Sequence, residues 1–267
     1  MENIIKEGLT PIGVQENGDT FGLSPNERPG ILHLFGNPGQ GKAVTLQDIV
    51  ISDIHNSRGG MFIDPDGSLM KEIQDYIPAD KVHKVATFEA VAGTLNENVA
   101  KFQQEIHFEE MKNDGQKFLL CKLDYKSLDQ DVARALGTYL VKQFLQVVGG
   151  ENRLLGLDEA HNFIDKEVLE QIVQSKEKGV SCILSDQTSD HYSTNILEHT
   201  LEAANHVLCY LVDSATAKLI NKYHPEMNPG ELISLEKYSF VAKVNAKTAS
   251  PTIIKLKGVF PIPYPKK

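Results

Sequence analysis

Few arginines, few cysteines and no long apolar run are the first constraints this chain sets. Among 267 residues there are four arginines, Arg28, Arg58, Arg134 and Arg153, so any role for a guanidinium must fall to one of them. The three cysteines, Cys121, Cys182 and Cys209, each sit inside an apolar strand-like run. An odd number in such surroundings reads as reduced core thiols, not a disulfide framework. No Cys or His pair has zinc-ligand spacing. The longest apolar runs, Phe118 to Cys121 and Val207 to Val212, fall far short of the roughly 20 residues that span a bilayer. The start, Met1-Glu2-Asn3-Ile4-Ile5-Lys6, lacks the basic and apolar regions of a secretory signal. These absences lead us to expect a soluble, cytoplasmic protein with no membrane segment of its own. Positive charge is scarce as well: 27 Lys and Arg face 36 Asp and Glu, a formal charge of −9. Phosphate contacts need Lys and Arg, which argues against casual, whole-surface binding of nucleic acid. Basic groups confined to a narrow channel stay compatible with that balance.

What is present is an ordinary globular composition, 41% apolar and 24% charged, in a length that suits one large α/β domain. There is no internal repeat and no low-complexity tract. Short strands at Thr10 to Gln15 and Thr20 to Leu23 flank the hairpin turn Glu16-Asn17-Gly18-Asp19. A buried strand follows at Ile31 to Phe35. Apolar strands then alternate with helical segments: strands at about 60–63, 82–88, 118–123, 154–157, 180–185 and 207–211, helices at 42–55, 96–112, 131–148, 166–178, 194–204 and 214–222. In the best of these helices Val132, Leu136, Tyr139, Leu140, Phe144 and Val147 fall on one face at 3.6 spacing. Such alternation predicts βαβ units and a mainly parallel sheet. The expected division is an N-terminal β lead-in over 1–30, an α/β core over 31–236, and a C-terminal hairpin with an extended, poorly ordered Pro-rich tail over 237–267.

Three motifs punctuate that pattern. Gly36-Asn37-Pro38-Gly39-Gln40-Gly41-Lys42-Ala43, with Val44 beyond it, follows a strand and opens a helix, the setting of a Walker A phosphate-binding loop. Its glycines let backbone N–H groups converge on phosphate oxygens, the helix adds its positive end, and Lys42 reaches the β- and γ-phosphates. A Gly-rich strand-to-helix turn without a ligand has the same spacing. Arg153-Leu154-Leu155-Gly156-Leu157-Asp158-Glu159 is an apolar strand ending in paired carboxylates, a Walker B arrangement. Asp158 there holds Mg²⁺ through its water shell and Glu159 polarises the attacking water; the same pair also suits a helix N-cap. The next strand, Val180 to Asp186, ends at Gln187, a candidate sensor of the γ-phosphate and of that water, or a loop-capping amide.

This constellation resembles the FtsK/HerA superfamily of P-loop motor ATPases, and most of all its conjugative coupling-protein, type IV secretion and HerA-like branch. Besides the three motifs, the likeness rests on the lead-in Phe21 to Arg28, on Gly60-Met61-Phe62-Ile63-Asp64-Pro65-Asp66-Gly67, and on the strand from Ala204 to Val212 followed by Asp213-Ser214-Ala215. The resemblance implies a RecA-like fold with an inserted catalytic-glutamate strand, ATP and Mg²⁺ as ligands, a homohexameric ring, translocation of DNA, and work beside secretion or conjugation machinery.

Two departures stand out. Ala43 occupies the position whose Ser or Thr hydroxyl ligates Mg²⁺, and Thr45 lies about 200° further round the helix. Where the family often carries a trans-acting arginine finger, this chain has Lys176 in Ser175-Lys176-Glu177-Lys178-Gly179; Arg134, on the long amphipathic helix, is the other finger candidate. The sequence thus leaves two readings, a hydrolysing motor and a nucleotide-binding scaffold with weak hydrolysis. Taking Asp158-Glu159-Ala160-His161 literally, as a two-lobed DEAH-box helicase, requires a second RecA-like lobe for which the chain after Gly258 has no room.

Overall fold

Each apolar run becomes a strand because its side chains find cover on both faces of one sheet. The structure is a computed structural model, and it describes residues 8–149, 152–187, 194–245, 251–258 and 264–266. In chain order its elements are β1 (Thr10–Val14), β2 (Thr20–Leu23), β3 (Gly30–Phe35), α1 (Lys42–His55), β4 (Gly60–Asp64), α2 (Ser68–Gln74), β5 (Val85–Glu89), α3 (Leu95–Glu105), α4 (Phe108–Asn113) and β6 (Phe118–Lys122). Then follow α5 (Gln130–Val147), β7 (Arg153–Asp158), α6 (Lys166–Ser175), β8 (Val180–Asp186), α7 (Thr194–Ala203), β9 (Ala204–Cys209), α8 (Ser214–Tyr223), α9 (Pro229–Leu232), β10 (Ser239–Val244) and β11 (Thr252–Lys257).

All eleven described strands join one sheet in the order β2-β1-β11-β10-β9-β3-β8-β7-β4-β6-β5. From β9 to β5 the pairing is parallel, and β10, β11, β1 and β2 extend it antiparallel. Apart from the edge strand β5, the parallel strands are buried on both sides, as their near-continuous apolar sequences require. On one face α1 and α2 pack Leu46, Ile49, Val50, Leu69 and Ile73 against Leu34, Phe62 and Leu120. On the other, α3, α5, α6, α7 and α8 cover Phe35, Met61, Leu155 and Leu184. Among the described residues there is one sheet and no second RecA-like lobe. No described helix is long and apolar enough to cross a membrane.

Side-chain caps fix where the helices begin. Asp129 accepts from the N–H groups of Asp131 and Val132 at α5, Asp165 from Val168 at α6, and Thr94 with Glu97 closes a capping box at α3. The expected helix over 96–112 is instead two: Ile106 and His107 adopt extended backbone between α3 and α4. That break buries Ile106 and brings the Phe102 and Phe108 rings to 5.2 Å. The strand expected from residue 82 begins at Val85, because a 3-10 turn follows Pro78. The strand expected over 207–211 runs from Ala204 to Cys209, directly out of α7. Of the Pro-rich tail only residues 264–266 are among the described residues, the rest of that expectation lying outside them; Tyr264 is buried, its ring 4.3 Å from that of His55 on α1.

Three of the four arginines are internal braces. Arg28 meets Asp53 with two bonds of 2.6 Å, and Arg58 bonds the same carboxylate, the Thr10 hydroxyl and the Gly8 carbonyl. These tie β1 and the loop before β3 to α1. Arg153 donates to the carbonyls of Met111 and Asp114.

Candidate functional site

Register places the chemistry. Phe35 of β3 pairs with Asp186 of β8, Asp158 of β7 with Ser185, and Leu157 with Ile63 of β4. The carboxyl ends of β3, β8, β7 and β4 therefore align at one edge of the sheet, where open α/β folds bind ligands. β8 sits between the strand that feeds the glycine loop and the strand that ends in Asp158, the inserted position expected from the sequence.

The glycine loop is seated by backbone bonds: Gly36 N–H to the Asp186 carbonyl, Asn37 N–H to Leu211, and Tyr238 N–H to Gln40. Gly36 admits no side chain, since a Cβ there would lie 2.6 Å from Cβ of Tyr210. Gly41 caps α1 at φ 114°, a conformation open to glycine and strained for other residues. Lys42 and Ala43, the first two residues of α1, have N–H groups with no intrahelical carbonyl to bond, at the positive end of the helix. Lys42 is buried and donates to the carbonyls of Gly36 and Asn37. Burial lowers its pKa, while the charges of Glu159, Asp158 and Asp186 act in the opposite sense.

Beside the loop a cleft of about 430 Å³ is lined by Ala43, Asp66, Lys126, Asp158, Glu159 and Gln187, among others. Asp158 takes a hydrogen bond of 3.0 Å from Ser185, yet burial, reinforced by Glu159 and Asp64, pushes its pKa up to about 7. Crowded carboxylates of this kind favour a cation between them. Glu159 is held at φ 49°, left-handed backbone that a non-glycine residue adopts at a cost of roughly 1–2 kcal/mol. That turn aims its carboxylate into the cleft, where Gln187 Nε2 donates to Oε1 at 2.5 Å.

No group of three or more His, Cys, Asp or Glu side chains poised for a metal exists among the described residues. Mg²⁺ is bound through one or two carboxylates plus phosphate and water, not in an all-protein cage. Asp158 is the donor in place. Ala43 is exposed to the cleft but has no oxygen to offer, and Thr45, fully buried, bonds the Tyr210 hydroxyl at 2.6 Å. The Thr45 hydroxyl points away, as the helical angle required.

Asp64 of the Asp64-Pro65-Asp66-Gly67 run is buried and accepts from Gly67 N–H and Met70 N–H, so it caps α2, a helix too short for periodicity to reveal. Burial raises its pKa. Pro65 and Asp66 face the cleft. The finger candidates lie apart. Arg134 is about half exposed and reaches the Walker B turn through Asn162, whose amide donates to the Glu159 carbonyl. Lys176 lies against Gly30, at the opposite, amino-terminal end of β3.

A second cleft of about 230 Å³ adjoins the glycine loop, lined by Gly41, Val44, Tyr238 and Gly258. Tyr238 stands 53% exposed at its mouth. Sequence reasoning missed this apolar seat, because it forms only when the β10–β11 ends meet α1. It also missed His33, whose one local signal is a polar side chain inside the apolar β3.

No family model matches the chain, and no curated protein does. Solved structures do. The genome-packaging NTPase B204 of Sulfolobus turreted icosahedral virus 2, in complex with AMPPCP, matches with a TM-score of 0.53 at 16% identity, over 89% of this chain and 100% of that one. The bacterial conjugative coupling protein TrwBdeltaN70 gives 0.67 at 9% identity, over 94% and 89%. VirB4 of Thermoanaerobacter pseudethanolicus gives 0.67 at 11%, over 97% and 99%. The likeness lies in architecture, since the identities are low. The chain has the RecA-like P-loop fold of these NTPases, the fold that its FtsK/HerA-like motifs implied.

Proposed function

We propose that the chain is an ATP-binding, ATP-hydrolysing motor domain that moves DNA through a homohexameric ring in the cytoplasm, beside secretion or conjugation machinery. The observation that carries this reading is the meeting of Asp158, Glu159 and Gln187 in one cleft at the carboxyl edge of the sheet, with the Lys42 ammonium in the glycine loop beside it and within electrostatic reach of both carboxylates. In it the loop from Gly36 to Val44 cradles the triphosphate and Lys42 leaves its loop carbonyls for the β- and γ-phosphates. Asp158 holds Mg²⁺, whose charge screens the phosphate oxygens. Glu159 orients and deprotonates the attacking water, and Gln187, now on Glu159, senses the γ-phosphate. Tyr238 and Val44 flank a seat for the base. Arg134, or Lys176, serves a neighbouring subunit's site as the finger. The known neighbours that package genomes or couple conjugation support the DNA assignment by analogy of fold.

A second reading, a ring subunit that binds nucleotide and hydrolyses it poorly, is favoured by one specific pair of facts: Ala43 lacks the hydroxyl and Thr45 commits its own to Tyr210. Analogue binding and ATP turnover, with and without DNA, separate the two. The motor reading expects Lys42→Ala to lose binding, Glu159→Gln to bind and not turn over, and DNA to stimulate the parent. Binding without turnover in the parent supports the scaffold; no binding at all ends both.

A further inference from the structure

Behind the cleft a polar track crosses the otherwise apolar face of the sheet beneath α7 and α8. Asp186, the last residue of β8, is fully buried. Its Oδ2 lies 2.9 Å from Nε2 of His33, itself fully buried in the middle of β3. Its Oδ1 lies 3.0 Å from Nδ1 of His161 and accepts the backbone N–H of the same residue at 3.1 Å. Where Asp186 is ionised it offers only acceptors, and the ring nitrogens that face it are then the protonated ones. The carbonyl of Asp186 in turn receives Gly36 N–H from the glycine loop. One residue thus joins the loop, the strand that feeds it, and the turn after Asp158.

His161 extends the track to the reacting end. Its Nδ1 stands 3.7 Å from Glu159 Oε2, while Gln187 grips the other oxygen, Oε1. We propose that His161 is a positioning residue for Glu159, and that the His33–Asp186–His161 clamp locks the glycine-loop strand to the turn that carries this carboxylate. The proposal rests on the reading of Glu159 as the group that activates water. Its physical content is division of labour. If Gln187 swings to a γ-phosphate it releases Oε1, and Glu159, in a left-handed turn, keeps its place against the His161 ring, which the bond between Nδ1 and Asp186 Oδ1 holds 3.7 Å from Oε2. Hydrogen bonds in a buried network polarise and strengthen one another.

The side chains of Asn and Gln separate the clamp from mere filling, because an Asn amide places a donor near the Nδ1 position and a Gln amide near Nε2. ATP turnover and binding of a fluorescent ATP analogue are measured for His161→Ala, His161→Asn and His161→Gln, in the natural chain and with Ala43→Thr. We expect His161→Ala and His161→Gln to lower kcat by ~10- to 100-fold, the penalty for a misplaced catalytic group, with KM and analogue affinity unchanged. His161→Asn is expected to keep most of the rate. Equal loss in the Asn and Ala variants, loss confined to KM, or no loss in Ala overturns the proposal. An independent arm reads the ring protons by ¹⁵N NMR of histidine-labelled protein: His161 protonated at Nδ1 and His33 at Nε2, both resonances displaced by Asp186→Asn. His161 protonated at Nε2 alone refutes the clamp whatever the kinetics. A chain that binds no nucleotide removes the ATPase reading, and Glu159's role with it, while the ring-proton signature still decides whether the clamp exists.

Discussion

Ala43→Thr is the substitution that tests the reading of the site most directly. Position 43 is the second residue of α1, exposed at the cleft, so the added hydroxyl and methyl displace nothing in the core. The helix-propensity cost of Thr for Ala is roughly 0.5 kcal/mol, and less in the first turn, so the folded state is nearly unaffected. The gain is one oxygen ligand on the Mg²⁺ side of the site. Taken as a bond to a charged group it contributes about 1.5–3 kcal/mol. Expressed wholly in the transition state, that is roughly a 10- to 150-fold rise in turnover. The assay is a Mg²⁺ titration of ATP turnover and of analogue binding in parent and variant, with thermal unfolding as the control. Thr45→Val runs beside it, since the Thr45 hydroxyl is bonded to Tyr210 and has no part in the metal. Unchanged Mg²⁺ dependence in Ala43→Thr, with nucleotide bound, refutes the argument. So does a Thr45→Val variant that loses its Mg²⁺ response, for then Thr45 has turned to the metal.

Three further predictions concern stability and the base seat. Asp48 on α1 is fully buried, neither of its carboxylate oxygens has a hydrogen-bond partner, and burial lifts its pKa from 3.8 to about 8. A folded pKa above the unfolded one means a contribution fully present below pH 3.8 and lost as pH rises through about 8. Asp48→Asn is therefore expected to flatten the fall of unfolding free energy between pH 5 and 7 by about 1.4 kcal/mol per pH unit in urea melts. Asp53→Ala strands the buried guanidinium of Arg28 and is expected to cost about 3–5 kcal/mol by the same measurement. Tyr238→Ala is expected to weaken ATP-analogue affinity by about 1–3 kcal/mol, the range for base–aromatic stacking, with the loss seen equally without Mg²⁺.

The parts of the site that were legible in the sequence are those that local spacing encodes. The loop from Gly36 to Ala43, the strand ending at Asp158 and Glu159, and the α1 boundaries at Lys42 and His55 follow from residue order alone, because a strand, a glycine turn and a helix start are short-range events. The order of strands was not legible in residue spacing: an inserted strand was implied by the family resemblance alone, and β8 is found between β3 and β7. What stayed hidden depends on pairs far apart in the chain. His33 and Asp186 meet only because β3 and β8 are neighbours in parallel register. Thr45 meets Tyr210 because β9 lies on the other side of β3. The break at Ile106 is a tertiary override: the helical pattern continues through it, but burial of Ile106 and the Phe102–Phe108 contact decide the path. Tyr264 was misjudged for a related reason, since a Pro-rich composition says how stiff a segment is and nothing about the ring that α1 offers it.

The scarcity of arginine, set against where the four are placed, narrows the question of the finger. A residue that completes a neighbouring subunit's site has to be free of internal duty and able to leave its own surface. Arg28 and Arg58 share the carboxylate of Asp53 within the core, and moving either out would leave that buried charge short of a partner. Arg153 is spent on two carbonyls that close the α4–β6 connection. Arg134 alone among them is half exposed, and its bonds, to Asn162 at 3.2 Å and to Asp131 at 4.0 Å, are of the surface kind that contribute little. It is also chained to the turn that carries Glu159, since Asn162 donates to the Glu159 carbonyl. An Arg134 drawn toward a neighbour's phosphate would release Asn162 from one partner and loosen the turn in its own subunit. Lys176 has no such link, and at the amino end of β3 it stands away from every group in the cleft. In the proposed ring, Arg134 is the arginine whose exposure suits a finger, and its displacement is then expected to be felt at Glu159 of the subunit that lends it.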